Sequence, residues 1–73
     1  MSVANKVKAL LNIKNLDRAG VANCLNISLQ ALNNKFYRDS FSTEDLIKIA
    51  NYAKVTLAFV SEGTEIVFDM NDL

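Results

Sequence analysis

The sequence contains no histidine, a single cysteine and only two glycines among its 73 residues. Without histidine the commonest general base and a common metal ligand are missing. Cys24 stands alone, so no thiolate–imidazolium pair and no intrachain disulfide can form, and a reducing compartment is the default. Gly20 and Gly63 are too isolated to build a phosphate-cradling loop. No window approaches the roughly 20 apolar residues of a bilayer span, and Met1–Leu11 lacks the apolar core and cleavage site of a secretory leader. No carboxylates gather in a segment that reads as a pocket. The expectation is a cytoplasmic protein that is not an enzyme, with no metal, no cofactor and no membrane association.

What is present is enough for one small domain. Half of the chain is apolar (51%) and 22% is charged, a globular composition near the lower end of what folds unaided. The formal net charge is zero, which argues against a nucleic-acid partner until the charges are located. Residues 1–38 carry Lys6, Lys8, Lys14, Arg18, Lys35 and Arg38 against Asp17 alone, a net +5. Residues 39–73 carry Lys48 and Lys54 against seven acids, a net −5. Any positive face therefore belongs to the first half.

Helix starts announce themselves three times in one local form. Leu16-Asp17…Val21, Ile27-Ser28…Leu32 and Phe41-Ser42…Leu46 each place an apolar residue, a capping residue and a second apolar residue four places after the cap. That is an N-cap with a hydrophobic staple, and Ser42 adds Asp45 at N3 as in a capping box. Gly20 occupies the equivalent N3 place of the first copy, the weakest start. The pattern predicts helices over about Val3–Ile13, Arg18–Leu25, Leu29 to near Tyr37, and Thr43–Ala53. Val3, Val7, Leu10 and Leu11 line one stripe of the first, and Leu46, Ile49, Ala50 and Ala53 turn inward on the fourth. Only Asn26, Ile27 and Ser28 separate helices two and three. That link requires a sharp corner, and Asn26 suits it because asparagine tolerates the left-handed conformation.

The segment NISLQALNNKF, residues 26–36, has four amides among eleven side chains. Asparagine weakens helices by competing for backbone hydrogen bonds, yet the apolar residues here keep helical spacing. Leu29, Leu32 and Phe36 form one stripe; Gln30, Asn34 and Tyr37 form the opposite one, with Asn33 on its flank. The amides are thus the outward face of an anchored helix. Amides donate and accept together, matching the N7 acceptor and N6 donor of adenine in a major groove. Glu, Lys or Ala would serve a plain solvated face better.

These residues carry a family likeness. DRAGVANCLNISLQALNNKF resembles the helix-turn-helix of the lambda-repressor and Cro-like family, often called the XRE family, through Ala22, Leu25, Asn26 in the turn, Ile27, the cap Ser28 and Leu32. FSTEDLIKIANYAKVTL resembles that family's next helix and turn. The likeness covers about Val3–Leu57. It implies a four-helix DNA-binding domain, residues 1–55, acting as a small bacterial or phage transcriptional regulator. It further implies a homodimer that places its third helix in the major groove of double-stranded DNA. By position, Gln30, Asn33, Asn34 and Leu29 would face base edges, Leu29 either touching a thymine methyl or, slightly favoured, packing beside Leu32. Arg18, Ser28, Lys35, Arg38 and Ser40 would meet phosphates. Cys24 is expected to be a packing residue.

The tail, residues 56–73, changes character. TLAFV and EIVFD are β-branched and aromatic runs bridged by Ser61-Glu62-Gly63-Thr64, which reads as a β-hairpin with positive φ at Gly63. Val55-Thr56…Val60 also fits the staple form, so the alternative is a short fifth helix plus one strand. Leu57, Phe59, Ile66 and Phe68 are the candidate dimer interface, since an isolated hairpin needs something to pack on. The rival arrangement is a hairpin that only caps its own helices. A rival function is a protein-interaction module, such as an antitoxin-like partner, using the hairpin and the acidic half.

Overall fold

The first N–H groups of a helix have no acceptor within it, and here a side chain supplies one at the start of every α-helix. A computed structural model describes residues 2–73. In chain order it contains α1 (Val3–Ile13), α2 (Arg18–Cys24), α3 (Leu29–Arg38), α4 (Thr43–Ala53), β1 (Leu57–Ser61), β2 (Thr64–Phe68) and a 3-10 turn, Met70–Asp72. Ser2, Asp17, Ser28 and Ser42 accept from the N–H of Asn5, Gly20, Ala31 and Asp45 at 2.9–3.1 Å. Ser42 and Asp45 complete the expected capping box, the Ser42 N–H donating to Asp45 Oδ2 at 3.0 Å. α1 and α4 have the expected bounds, α2 stops one residue earlier, and α3 reaches Arg38.

All four helices also end alike. Asn15, Asn26, Asp39 and Lys54 adopt φ of 54° to 58°. The N–H of the following residue then bonds back five places, at 2.8–3.0 Å: Leu16 to Leu11, Ile27 to Ala22, Ser40 to Lys35 and Val55 to Ala50. This left-handed closure satisfies carbonyls that the helix leaves free, and glycine is its usual residue. None of the four is glycine here. Asp39 has a further use, because its Oδ1 accepts the Ala4 N–H at 2.6 Å and so ties the end of α3 to the start of α1. A carboxylate there also complements the positive end of the α1 dipole.

The core gathers Val21, Leu32 and Ile49, which have almost no exposed surface, with Ala4, Val7, Leu11, Ala22, Leu25 and Phe36. Leu16, Ile27, Phe41 and Leu46 of the staple patterns are partly buried against it. Val3, expected inward, is exposed, and Ala4 takes its place because the buried stripe of α1 starts one residue later. Ile47 joins Ile49, Ala50 and Ala53 as a buried residue of α4. Gly20 is where α2 and α4 approach: a Cβ there would collide with the Tyr52 hydroxyl.

The fifth-helix alternative is incorrect, since Leu57–Ser61 is a strand. β1 and β2 pair antiparallel with Leu57 opposite Phe68 and Phe59 opposite Ile66, and Gly63 has φ 72°. The β-branched and aromatic residues there favour a pleated surface over a helical turn. Cross-strand partners share a face, so Leu57, Phe59, Ile66 and Phe68 lie together, as their alternation requires. Phe59 and Phe68 meet edge to face at 5.0 Å between ring centres. Among the described residues, no helix is long and apolar enough to cross a membrane.

Candidate nucleic-acid interface

α2, the corner at Asn26 and α3 form a rigid angle because both sides are buried. Val21 and Ala22 hold α2, and Leu32 and Phe36 hold α3, against the same core. The opposite side of α3 is free. Gln30, Asn33, Asn34 and Tyr37 are all exposed, and α3 has no acidic residue. At 1.5 Å per residue its ten residues present a face about 15 Å long. Leu29 is 47% exposed, about half covered, and borders the amides.

The polar residues expected around this face differ in how they are held. No hydrogen bond ties down the side chains of Gln30 and Asn34 among the described residues. Asn33 is held: its Oδ1 accepts from Arg18 Nη1 at 2.8 Å. The Arg18 guanidinium also lies over the Phe36 ring, 4.2 Å from its centre, and Phe36 in turn packs edge-on to Phe41 at 5.1 Å. Ser28 spends its oxygen on the Ala31 cap but keeps its hydroxyl proton. Arg38 and Ser40 are exposed where α3 ends.

Lys35 differs from expectation. Its Nζ lies 2.9 Å from Asp45 Oδ2, with 27% of the lysine side chain and 13% of the aspartate side chain exposed. Burial works to raise the Asp45 carboxyl, but hydrogen bonds from Lys35 and the Ser42 N–H, with the lysine charge, outweigh it and hold it below its ordinary value. Lys35 is thus an internal strut between α3 and α4, held to Asp45. Sequence reasoning counted Lys8 only in the +5 sum, yet its Nζ sits 5.8 Å from the same Phe36 ring as Arg18. Lys8, Asn12 and Arg18 share one shallow cleft beside α2. No local pattern links Lys8 to Phe36, 28 positions away.

Cys24 is half-buried, and its Sγ donates to the Lys48 carbonyl at 3.3 Å. Burial pushes the thiol up, against the opposing charge of Lys48. A protonated thiol is a poor nucleophile, in line with a packing role.

The four candidate interface residues of the tail are brought to one hairpin face, half-buried at its base and open at its tip. Leu57 and Phe68 are partly covered; Phe59 and Ile66 are 67% and 59% exposed. The other face is apolar too, with Val60 and Val67 exposed. A groove of about 380 Å³ walled by Val3, Val7, Leu10, Leu46, Val55 and Leu57 continues this surface between α1 and α4. Glu62, Glu65, Asp69 and Asp72 surround the tail with acid. Comparison with protein-family models, with curated proteins and with solved structures gives no match.

Proposed function

We propose that the protein binds double-stranded DNA sequence-specifically as a homodimer and regulates transcription, in the manner of lambda-repressor and Cro-like helix-turn-helix proteins. The observation that carries this reading is the outer face of α3: amide-rich, free of acid, and fixed in direction by Leu32 and Phe36 behind it. Such a helix fits the major groove, where Gln30 and Asn34 pair with base edges, Asn33 assists, and Leu29 meets a thymine methyl. Arg18, Lys8, Ser28, Arg38 and Ser40 border the helix and hold the phosphates that set its register. Arg18 retains four of its five N–H donors for this purpose.

One such helix reads only a few base pairs, so a second copy is needed. The exposed hairpin supplies the contact: Phe59 and Ile66 remain 67% and 59% exposed in their own chain, and the acids around them are repelled by phosphate, which turns the tail away from DNA. A rival reading rests on the same surface, in which the hairpin docks on a different protein and the amide face is idle.

Binding of generic duplex DNA, followed by fluorescence anisotropy against salt, tests the proposal. Lys8, Arg18 and Arg38 on two protomers give about six neutralised phosphates and a log–log slope near −5. A slope indistinguishable from zero refutes DNA binding.

A further inference from the structure

We propose that Asn33 and the Phe36 ring hold Arg18 ready for one phosphate of the DNA backbone, and that Asn33 acts on DNA through Arg18. The proposal rests on the DNA-binding reading and assigns a positioning residue within it. Asn33 Oδ1 accepts from Arg18 Nη1 at 2.8 Å, and the Phe36 ring centre lies 4.2 Å from Arg18 Cζ. Asn33 and Phe36 are three residues apart on α3, and residues so spaced are neighbours on a helix surface. One guanidinium reaches both. The ring itself is fixed, since Phe36 is buried and meets Phe41 edge-on at 5.1 Å.

The chemistry of this hold separates Arg18 from the paired lysines. The ion pairs among the described residues are Lys35–Asp45 and Lys48–Glu44, in which a carboxylate offsets the ammonium. Arg18 is gripped by an amide and a ring, both uncharged, so its own charge is not offset. Lys8 Nζ, 5.8 Å from the same ring centre, adds a second positive charge, and no carboxylate among the described residues pairs with either. A fixed guanidinium with its charge and most of its N–H donors unused suits a phosphate, which it meets through paired N–H bonds. Freezing a long side chain on binding costs about 2- to 10-fold in affinity. The hold on Arg18 in the free protein removes that cost in advance.

Binding of a generic duplex by the full-length chain, followed by fluorescence anisotropy against salt, tests this with Asn33→Ala, Arg18→Met and the double variant. Arg18→Met keeps an unbranched apolar stem over Phe36 and removes the charge and the donors. Asn33→Ala is expected to weaken binding about 4- to 100-fold, the side-chain cost taken for two protomers, at an unchanged salt slope. Arg18→Met is expected to lower the slope by about 2, one phosphate per protomer, and Asn33→Ala then adds nothing. In the free protein, nuclear magnetic resonance should find the Arg18 side-chain protons shifted upfield by the Phe36 ring. Asn33→Ala should reduce that shift with little change in melting temperature. An Asn33→Ala variant that binds as wild type, loses as much in the Arg18→Met background, or keeps the Arg18 shift overturns the proposal and leaves DNA binding intact. The resonance comparison needs only Asn33→Ala, so it decides the matter should Arg18→Met fail to fold. A wild type with no affinity for duplex overturns the proposal and the DNA-binding reading together.

Discussion

Replacing Asp45 with alanine removes two bonds that meet on one oxygen. Asp45 Oδ2 accepts the Ser42 N–H at 3.0 Å and the Lys35 ammonium at 2.9 Å. The first is half of a capping box, where a lost cap costs roughly 1 kcal/mol. The second is charge-assisted and mostly shielded from water, a class contributing about 1.5–3 kcal/mol. Alanine also leaves Lys35 unpaired and largely covered. Together the loss is about 2.5–4 kcal/mol, or roughly 10–30 °C in melting temperature for a domain of this size. Asp45→Asn keeps an acceptor for Ser42 and loses only the charge, so it costs about 1–2 kcal/mol. The pH dependence follows from the lowered carboxyl. Its folded pKa lies below its unfolded one, so the stabilisation is present above the unfolded value, about 4, and is lost as pH falls through the folded one. Thermal unfolding followed by circular dichroism should show the gap between wild type and Asp45→Asn widest near pH 7 and closing below about pH 4. An alanine variant within about 0.5 kcal/mol of wild type, or a gap that does not change with pH, refutes the strut.

Two other predictions follow from the helix ends and the tail. Lys54 is a side chain forced to φ 58°, so Lys54→Gly should stabilise by about 0.5–1 kcal/mol; a lowered melting temperature refutes the strain. Phe59→Ser with Ile66→Ser should convert a dimer into a folded monomer by light scattering at tens of micromolar. A wild type that is already monomeric there, both free and on DNA, makes the hairpin a cap of its own chain.

What could be read from the sequence was local. The caps at Asp17, Ser28 and Ser42 and the two stripes of α3 are patterns within four to seven residues, and they returned the helices nearly to the residue. Gly63 between β-branched runs returned the hairpin. Asn26 was legible as a left-handed corner because the link there is so short. Asn15, Asp39 and Lys54 adopt the same conformation without announcing it, since glycine is the usual signal and is absent from all three. The other misses are contacts between elements. Asp39 reaches 35 positions back to Ala4, Lys35 pairs with Asp45 on another helix, and Lys8 and Arg18 both come to the Phe36 ring. Each depends on how the helices pack, which no short window encodes. Leu29, whose spacing left packing and base contact both open, is about half covered at 47% exposure.

Whether the amide face of α3 reads base sequence is settled by selecting bound duplexes from a random pool with the intact wild-type protein. An enriched motif with two-fold symmetry is expected, its half-sites centred about 34–36 Å apart, one turn of DNA. Asn34→Ala should weaken binding to that motif roughly 5- to 150-fold and leave binding to unrelated duplex nearly unchanged. A pool that returns no motif, or one to which Asn34→Ala binds as tightly as wild type, contradicts it.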